Sequence, residues 1–103
     1  MAAFSEESLE RIKLAIPLEY INDKSSDPPW MYVSPDSLTF NRGYGEWTCI
    51  RYDEGTADYC ITTQVERRPS FDRHLPDEEA AVNWFIDHII PVFLHEWKYS
   101  RNL

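Results

Sequence analysis

The groups in this chain able to do chemistry are three histidines, two cysteines and eighteen carboxylate side chains. His88 and His95 return to one helix face seven residues apart, with Glu96 beside the second. On a straight helix that spacing is about 10 Å of rise, too far for two ligands of one ion, and Pro91 stands between them. Neither a Cys-x-x-Cys nor a His-Glu-x-x-His pattern occurs, so no metal ligand and no cofactor is assigned. Cys49 and Cys60 fall in strand-like stretches, with His74 in a later polar stretch as the candidate base. Nothing in their spacing demands an activated nucleophile, and two reduced thiols are expected. Asp53 and Asp58 could share acid–base work, but solvated acids at a hairpin end explain them equally. With three glycines in all, there is no phosphate-cradling loop. No catalytic residue is assigned, and the chain is expected not to be an enzyme.

What remains is a surface. Asp53, Glu54 and Asp58 cluster at one hairpin end, flanked by Tyr52 and Tyr59. Trp47 and Trp30 add large aromatics near the sheet, and Asp23 and Asp27 lie on the loop before it. Aromatic anchors ringed by carboxylates suit an interface with a basic protein. The expected partner-binding residues are Asp53, Glu54, Asp58, Tyr52, Tyr59, Trp47 and Asp27. Eighteen acidic against ten basic residues leave a net charge of -8. Such a chain repels phosphate backbones, which excludes a general nucleic-acid binder, and attracts a basic partner. No run approaches the roughly 18 to 20 apolar residues that cross a bilayer. Met1 to Glu7 lacks the basic start and apolar stretch of a signal peptide. The expected location is the cytoplasm, with no membrane contact.

These residues need a frame to hold them. A length of 103 residues, 43% of them hydrophobic and 15% aromatic, suits one globular domain spanning 1–103. Ser5 can cap a helix running to about Ile16, with Glu6 and Glu7 at its positive end and Pro17 stopping it. Leu18 to Ile21 is too short to classify. Trp30 to Val33 and Leu38 to Phe40 flank Ser34-Pro35-Asp36-Ser37, a tight-turn signal. Thr48, Ile50 and Tyr52 alternate with polar neighbours, as do Tyr59, Ile61, Thr63 and Val65, so each set shares one sheet face. A two-residue loop at Glu54-Gly55 would set Cys49 opposite Cys60. A four-residue loop would set Ile50 opposite Ile61 and Tyr52 opposite Tyr59, with the cysteines diagonal. Both registers keep every side chain on its face.

Glu66 to Pro76 reads as a polar linker, holding Arg67, Arg68 and Arg73. Asp77 can cap a last helix reaching about Tyr99, its apolar stripe made by Ala81, Trp84, Phe85, His88, Ile89, Val92, Phe93 and Trp97. Pro91 predicts a kink or break near Asp87 to Ile90. The expected fold is α+β and two-layered, an antiparallel four-stranded meander flanked by N-terminal and C-terminal helices. Its expected core is Leu9, Ile12, Ile16, Leu38, Phe40, Ile50, Ile61, Val65, Phe85, Ile89 and Phe93.

The capped helix at Ser5-Glu6-Glu7, the strands with Trp47-Thr48-Cys49-Ile50 and Asp58-Tyr59-Cys60-Ile61, and the aromatic helix at Asn83-Trp84-Phe85-Ile86-Asp87 follow one another along nearly the whole chain. This pattern resembles the small acidic immunity proteins of bacterial contact-dependent growth inhibition and other polymorphic toxin systems. The resemblance implies a cytoplasmic, non-catalytic toxin inhibitor, or antitoxin, that binds one cognate basic toxin domain one-to-one and blocks its active site. The implied toxin is often a nuclease. No functional residue carries over position by position. The alternatives are a bacterial secretion chaperone that binds an effector segment, and a small hydrolase.

Overall fold

Ser5 has extended backbone (φ -73°, ψ 162°), and its Oγ accepts a hydrogen bond from the Ser8 amide at 3.2 Å. That cap starts α1 (Glu6–Leu14), which ends at Ala15, ahead of Pro17. Leu18–Ile21 forms a single turn, α2. The computed structural model describes residues 3–21, 29–43, 45–65, 67–68 and 71–101. Its sheet is a five-stranded antiparallel meander in chain order: β1 (Trp30–Val33), β2 (Ser37–Gly43), β3 (Glu46–Asp53), β4 (Asp58–Gln64) and β5 (Phe71–Leu75). The chain then returns through α3 (Glu78–Trp84), a π-helical turn (Phe85–Ile89) and α4 (Ile90–Arg101).

The fifth strand corrects the expected count of four. Phe71-Asp72-Arg73-His74-Leu75 reads as linker because three of its five residues are charged or titratable. Yet it pairs with β4 from Tyr59↔Leu75 to Thr63↔Phe71. The strand lies at the sheet's edge, where charged side chains discourage pairing with another chain. Thr62 Oγ1 donates to Asp72 at 2.9 Å, and His74 meets Asp58 at 2.8 Å. The opposite edge is guarded differently. The Tyr20 hydroxyl accepts from the Met31 amide at 3.2 Å and donates to the Met31 carbonyl at 3.5 Å, while its ring packs edge-on against Phe93.

Of the two hairpin registers, the four-residue loop is the one formed. Ile50 opposes Ile61, Tyr52 opposes Tyr59 and Asp53 opposes Asp58. Asp53 Oδ1 accepts from the Gly55 amide at 2.9 Å, and Ala57 closes the loop with φ 55°. Cys49 faces Thr62 and Cys60 faces Arg51, so the cysteines are diagonal, and both are free.

Strand alternation sorts the side chains. Leu38, Phe40, Ile50, Tyr59 and Ile61 point to one face and are buried with Phe4, Ile12, Ala81, Val82, Phe85 and Phe93 from outside the sheet. Eight of the expected core residues are buried: Ile12, Leu38, Phe40, Ile50, Ile61, Phe85, Ile89 and Phe93. Leu9 and Ile16 pack partly buried against them. Val65 does not join; it borders a small cavity of about 150 Å³ with Ile89 and Val92 at the end of the sheet.

The expected break before Pro91 is the π-helical turn, closed by the Ile90 amide bonding to the Phe85 carbonyl. A proline ring crowds the carbonyl four residues back, and widening the turn is one way a helix adapts there. The extra residue also rotates the helix face. Ahead of the turn Ala81, Val82 and Phe85 are buried; beyond it Ile90, Phe93 and Trp97 are, while Val92 is exposed.

The helices are joined at their starts. Asp77 caps α3 by accepting from the Ala80 amide at 2.8 Å. Glu78, in the first turn, accepts from the Ser5 amide (3.1 Å), Ser5 Oγ (3.0 Å) and Ser8 Oγ (2.6 Å). The Ser8 hydroxyl foremost, then Ser5, holds the Glu78 carboxyl below its ordinary value against the opposing effect of burial. A depressed carboxyl stabilises the fold above its unfolded pKa, and that contribution fades as pH falls through the folded value. Glu78→Ala is expected to lose about 1 to 2 kcal/mol in urea unfolding at pH 7. The gap to wild type should narrow as the pH drops below 4.5, the ordinary glutamate value. Equal stability of the two proteins at pH 7 would contradict this role.

Candidate functional site: the acidic hairpin end and the open sheet face

Strand pairing places Trp30, Asn41, Trp47 and Gln64 in one row on the face turned away from the core. Tyr32, Thr39, Cys49, Thr62 and Asp72 make the next row, and Ser37, Arg51, Cys60 and His74 the one after. Asp53 and Asp58 close the series at the hairpin end. None of these residues belongs to the buried cluster under the helices. Among the described residues, no helix contributes to this side.

The expected binding residues therefore divide. Asp53 and Asp58 lie side by side on the open face, with Glu54 in the exposed turn between their strands. Trp47 is on the same face but at the far end of β3, roughly 20 Å away at about 3.3 Å per residue. Tyr52 and Tyr59 point to the helix side, their rings meeting edge-on with centres 5.4 Å apart. Tyr52 stays 41% exposed there, at the sheet end. Tyr59 is corrected from binding residue to core residue: it is 9% exposed, packs on Phe4, and its hydroxyl donates to the Ala3 carbonyl. Burial, first of all, pushes that hydroxyl's pKa up. Asp27 and Asp23 lie outside the described residues.

Pattern reading missed His74 and Asp72 in this surface, because β5 was not seen as a strand. The alternation of Asp72 and His74 with Phe71, Arg73 and Leu75 was the signal available. His74 Nδ1 sits 2.8 Å from Asp58 Oδ1, and Asp58 also accepts from the Thr56 hydroxyl. The Thr56 hydrogen bond, then that of His74, holds the Asp58 carboxyl below its ordinary value. The Asp58 hydrogen bond in turn raises His74.

Asp58, His74 and Cys60 stand in the order of an acid, a base and a thiol, with Cys60 cross-strand from His74. The thiol does not use it. Cys60 is 3% exposed, and its Sγ lies 3.8 Å from Thr62 Oγ1. His88 lies against Trp84 with ring centres 5.3 Å apart and planes tilted by 42°, and His95 is exposed on α4. Among the described residues, no three His, Cys, Asp or Glu side chains converge to hold a metal ion. No helix there is long and apolar enough to cross a membrane.

No family model, curated protein or solved structure matches the chain. Function is read from the chemistry of the surface alone: free of helical cover among the described residues, aromatic at one corner and acidic at the other.

The Asp58–His74 pair gives that surface a pH dependence. A raised histidine contributes stability in full below its unfolded pKa near 6.5, and the contribution is lost as pH rises through the folded value. The depressed Asp58 sets the acid limit in the opposite sense. NMR titration should place His74 above 6.5, and Asp58→Asn should move it back down. Protection of the β5 amides, with the intrinsic base-catalysed rise in exchange divided out, should fall once His74 deprotonates. A His74 titrating at or below 6.5 in the wild type would contradict the pairing.

Proposed function

We propose that this chain is a non-catalytic immunity protein, acting in the cytoplasm, that neutralises a basic toxin domain by occupying its cationic cleft. The observation that carries the reading is the β3–β4 hairpin end. Asp53 and Asp58 end the paired strands and Glu54 lies in the exposed turn between them, in a chain whose net charge is -8. A nuclease or other phosphate-handling cleft is positive because it must hold phosphates, and carboxylates on a firm turn can stand in for them. The turn is firm: Asp53 holds the Gly55 amide, and Asp58 is held by Thr56 and His74. Little ordering entropy then remains to be lost on binding. Opposite net charges speed the encounter, and inhibition needs only tight occupancy.

Glu54 is the cleanest probe, since Asp53 and Asp58 also serve the turn. The proposed partner, a basic toxin domain, would be titrated against wild type, Asp53→Lys, Glu54→Lys and Asp58→Lys at two salt concentrations, with folding followed by circular dichroism. Glu54→Lys is expected to weaken binding at least tenfold, about 1.4 kcal/mol. The salt dependence should also flatten, because part of the attraction is screened. Unchanged affinity in all three variants would remove the hairpin end from the interface and overturn the reading.

A further inference from the structure

We infer that the sheet face left without helical cover among the described residues is the larger part of the footprint on that same basic partner, anchored by Trp30, Tyr32 and Trp47. This rests on the proposed immunity function and assigns it a surface. The hairpin turn by itself is too small. A stable interface covers about 800 Å² on each partner, and the loop offers four residues, Glu54 to Ala57. Five strands about 4.8 Å apart and roughly 20 Å long add about 400 Å² of continuous face beside it.

That face has the make-up of a binding surface. Tyr32 is 56% exposed and Trp30 38%, although both are large aromatics. Trp47 shares a cross-strand row with Trp30. Aromatics held on strands bury much area with few torsions to freeze, which is why they dominate binding energy. The next row is floored by the short side chains of Thr39, Cys49 and Thr62. A partner's side chains can settle between that floor and the tryptophans.

Charge selects the occupant. On this face Asp53, Asp58 and Asp72 outnumber Arg51, with His74 paired to Asp58, and the chain as a whole carries -8. A second copy would bring like charges together over the same patch, since a two-fold interface pairs a surface with itself. A basic protein reverses that sign. Docking by strand addition is disfavoured at both edges, where Tyr20 occupies the Met31 backbone and Asp72, Arg73 and His74 charge β5. The partner must come down on the face.

The test uses the complex with the basic toxin domain proposed as the partner. Tyr32→Ala and Trp47→Ala are expected to weaken it at least tenfold, mainly through faster dissociation, with the salt dependence of wild type retained. Thr62→Arg, which raises a long side chain from the floor, should do the same if Trp47→Ala folds poorly. Tyr99→Ala, on the exposed side of α4, is the control and should bind as wild type. If the face variants bind normally while Glu54→Lys weakens binding, this inference fails and the proposed function stands. If neither set changes affinity, both fail. A free chain that sediments as a dimer, and becomes monomeric with Tyr32→Ala, would make a second copy the occupant and overturn the inference.

Discussion

The carboxylate of Glu78 sits where two helices begin, in the first turn of α3 and against the capping serines of α1. Helix starts leave backbone donors without partners and carry partial positive charge, so one anion can serve both. Here it receives three hydrogen bonds from Ser5 and Ser8, about seventy positions earlier in the chain. The consequence reaches the whole architecture. With α1 and α3 tied at their starts, the N-terminal and C-terminal segments lie on the same side of the meander. Phe4, Ile12, Phe85 and Phe93 then bury against Leu38, Phe40, Ile50 and Ile61 in one core. The other side of the sheet is left without a helical cover among the described residues.

A one-sided sheet is ordinary for antiparallel strands, which tolerate solvent on one face. What distinguishes this one is the content of the bare side. Threonines and a glutamine would satisfy water, but Trp30, Tyr32 and Trp47 are there as well. At the opposite corner the Asp58–His74 pair fastens the hairpin end to the edge strand. The contact is exposed and contributes little to global stability. Its effect is local order in the turn. For the partner proposed above, order at the tip would serve electrostatic fit and breadth on the face would serve area.

Much of this frame was legible in the residues. Ser5 and Asp77 announced both helix starts, the alternation around Ile50 and Ile61 assigned both faces, and Pro91 announced the helix irregularity. The phase shift that it causes was not legible, so Val92 was expected in the stripe and Ile90 was overlooked. Recognising it needs the register of carbonyls around Phe85, which follows from tertiary packing. β5 escaped because its pairing is made by main-chain groups that any residue carries, while its side chains look like a linker's. At the site, the acidic turn was visible from composition. Tyr59 was assigned to the surface for its neighbours, although its own alternation with Ile61 pointed inward, and packing on Phe4 decided the matter.

The most direct test of the account is side-chain oxidation footprinting of the chain, free and bound to the basic toxin domain proposed as its partner, read by mass spectrometry at individual aromatics. In the free protein Trp30, Tyr32, Trp47 and Tyr99 should all be labelled, since none is fully buried. In the complex, labelling of Trp30, Tyr32 and Trp47 should fall sharply while Tyr99 on the helix side keeps its free rate. Protection of Tyr99 with unchanged labelling of the three sheet aromatics would contradict it, placing the partner on the helices.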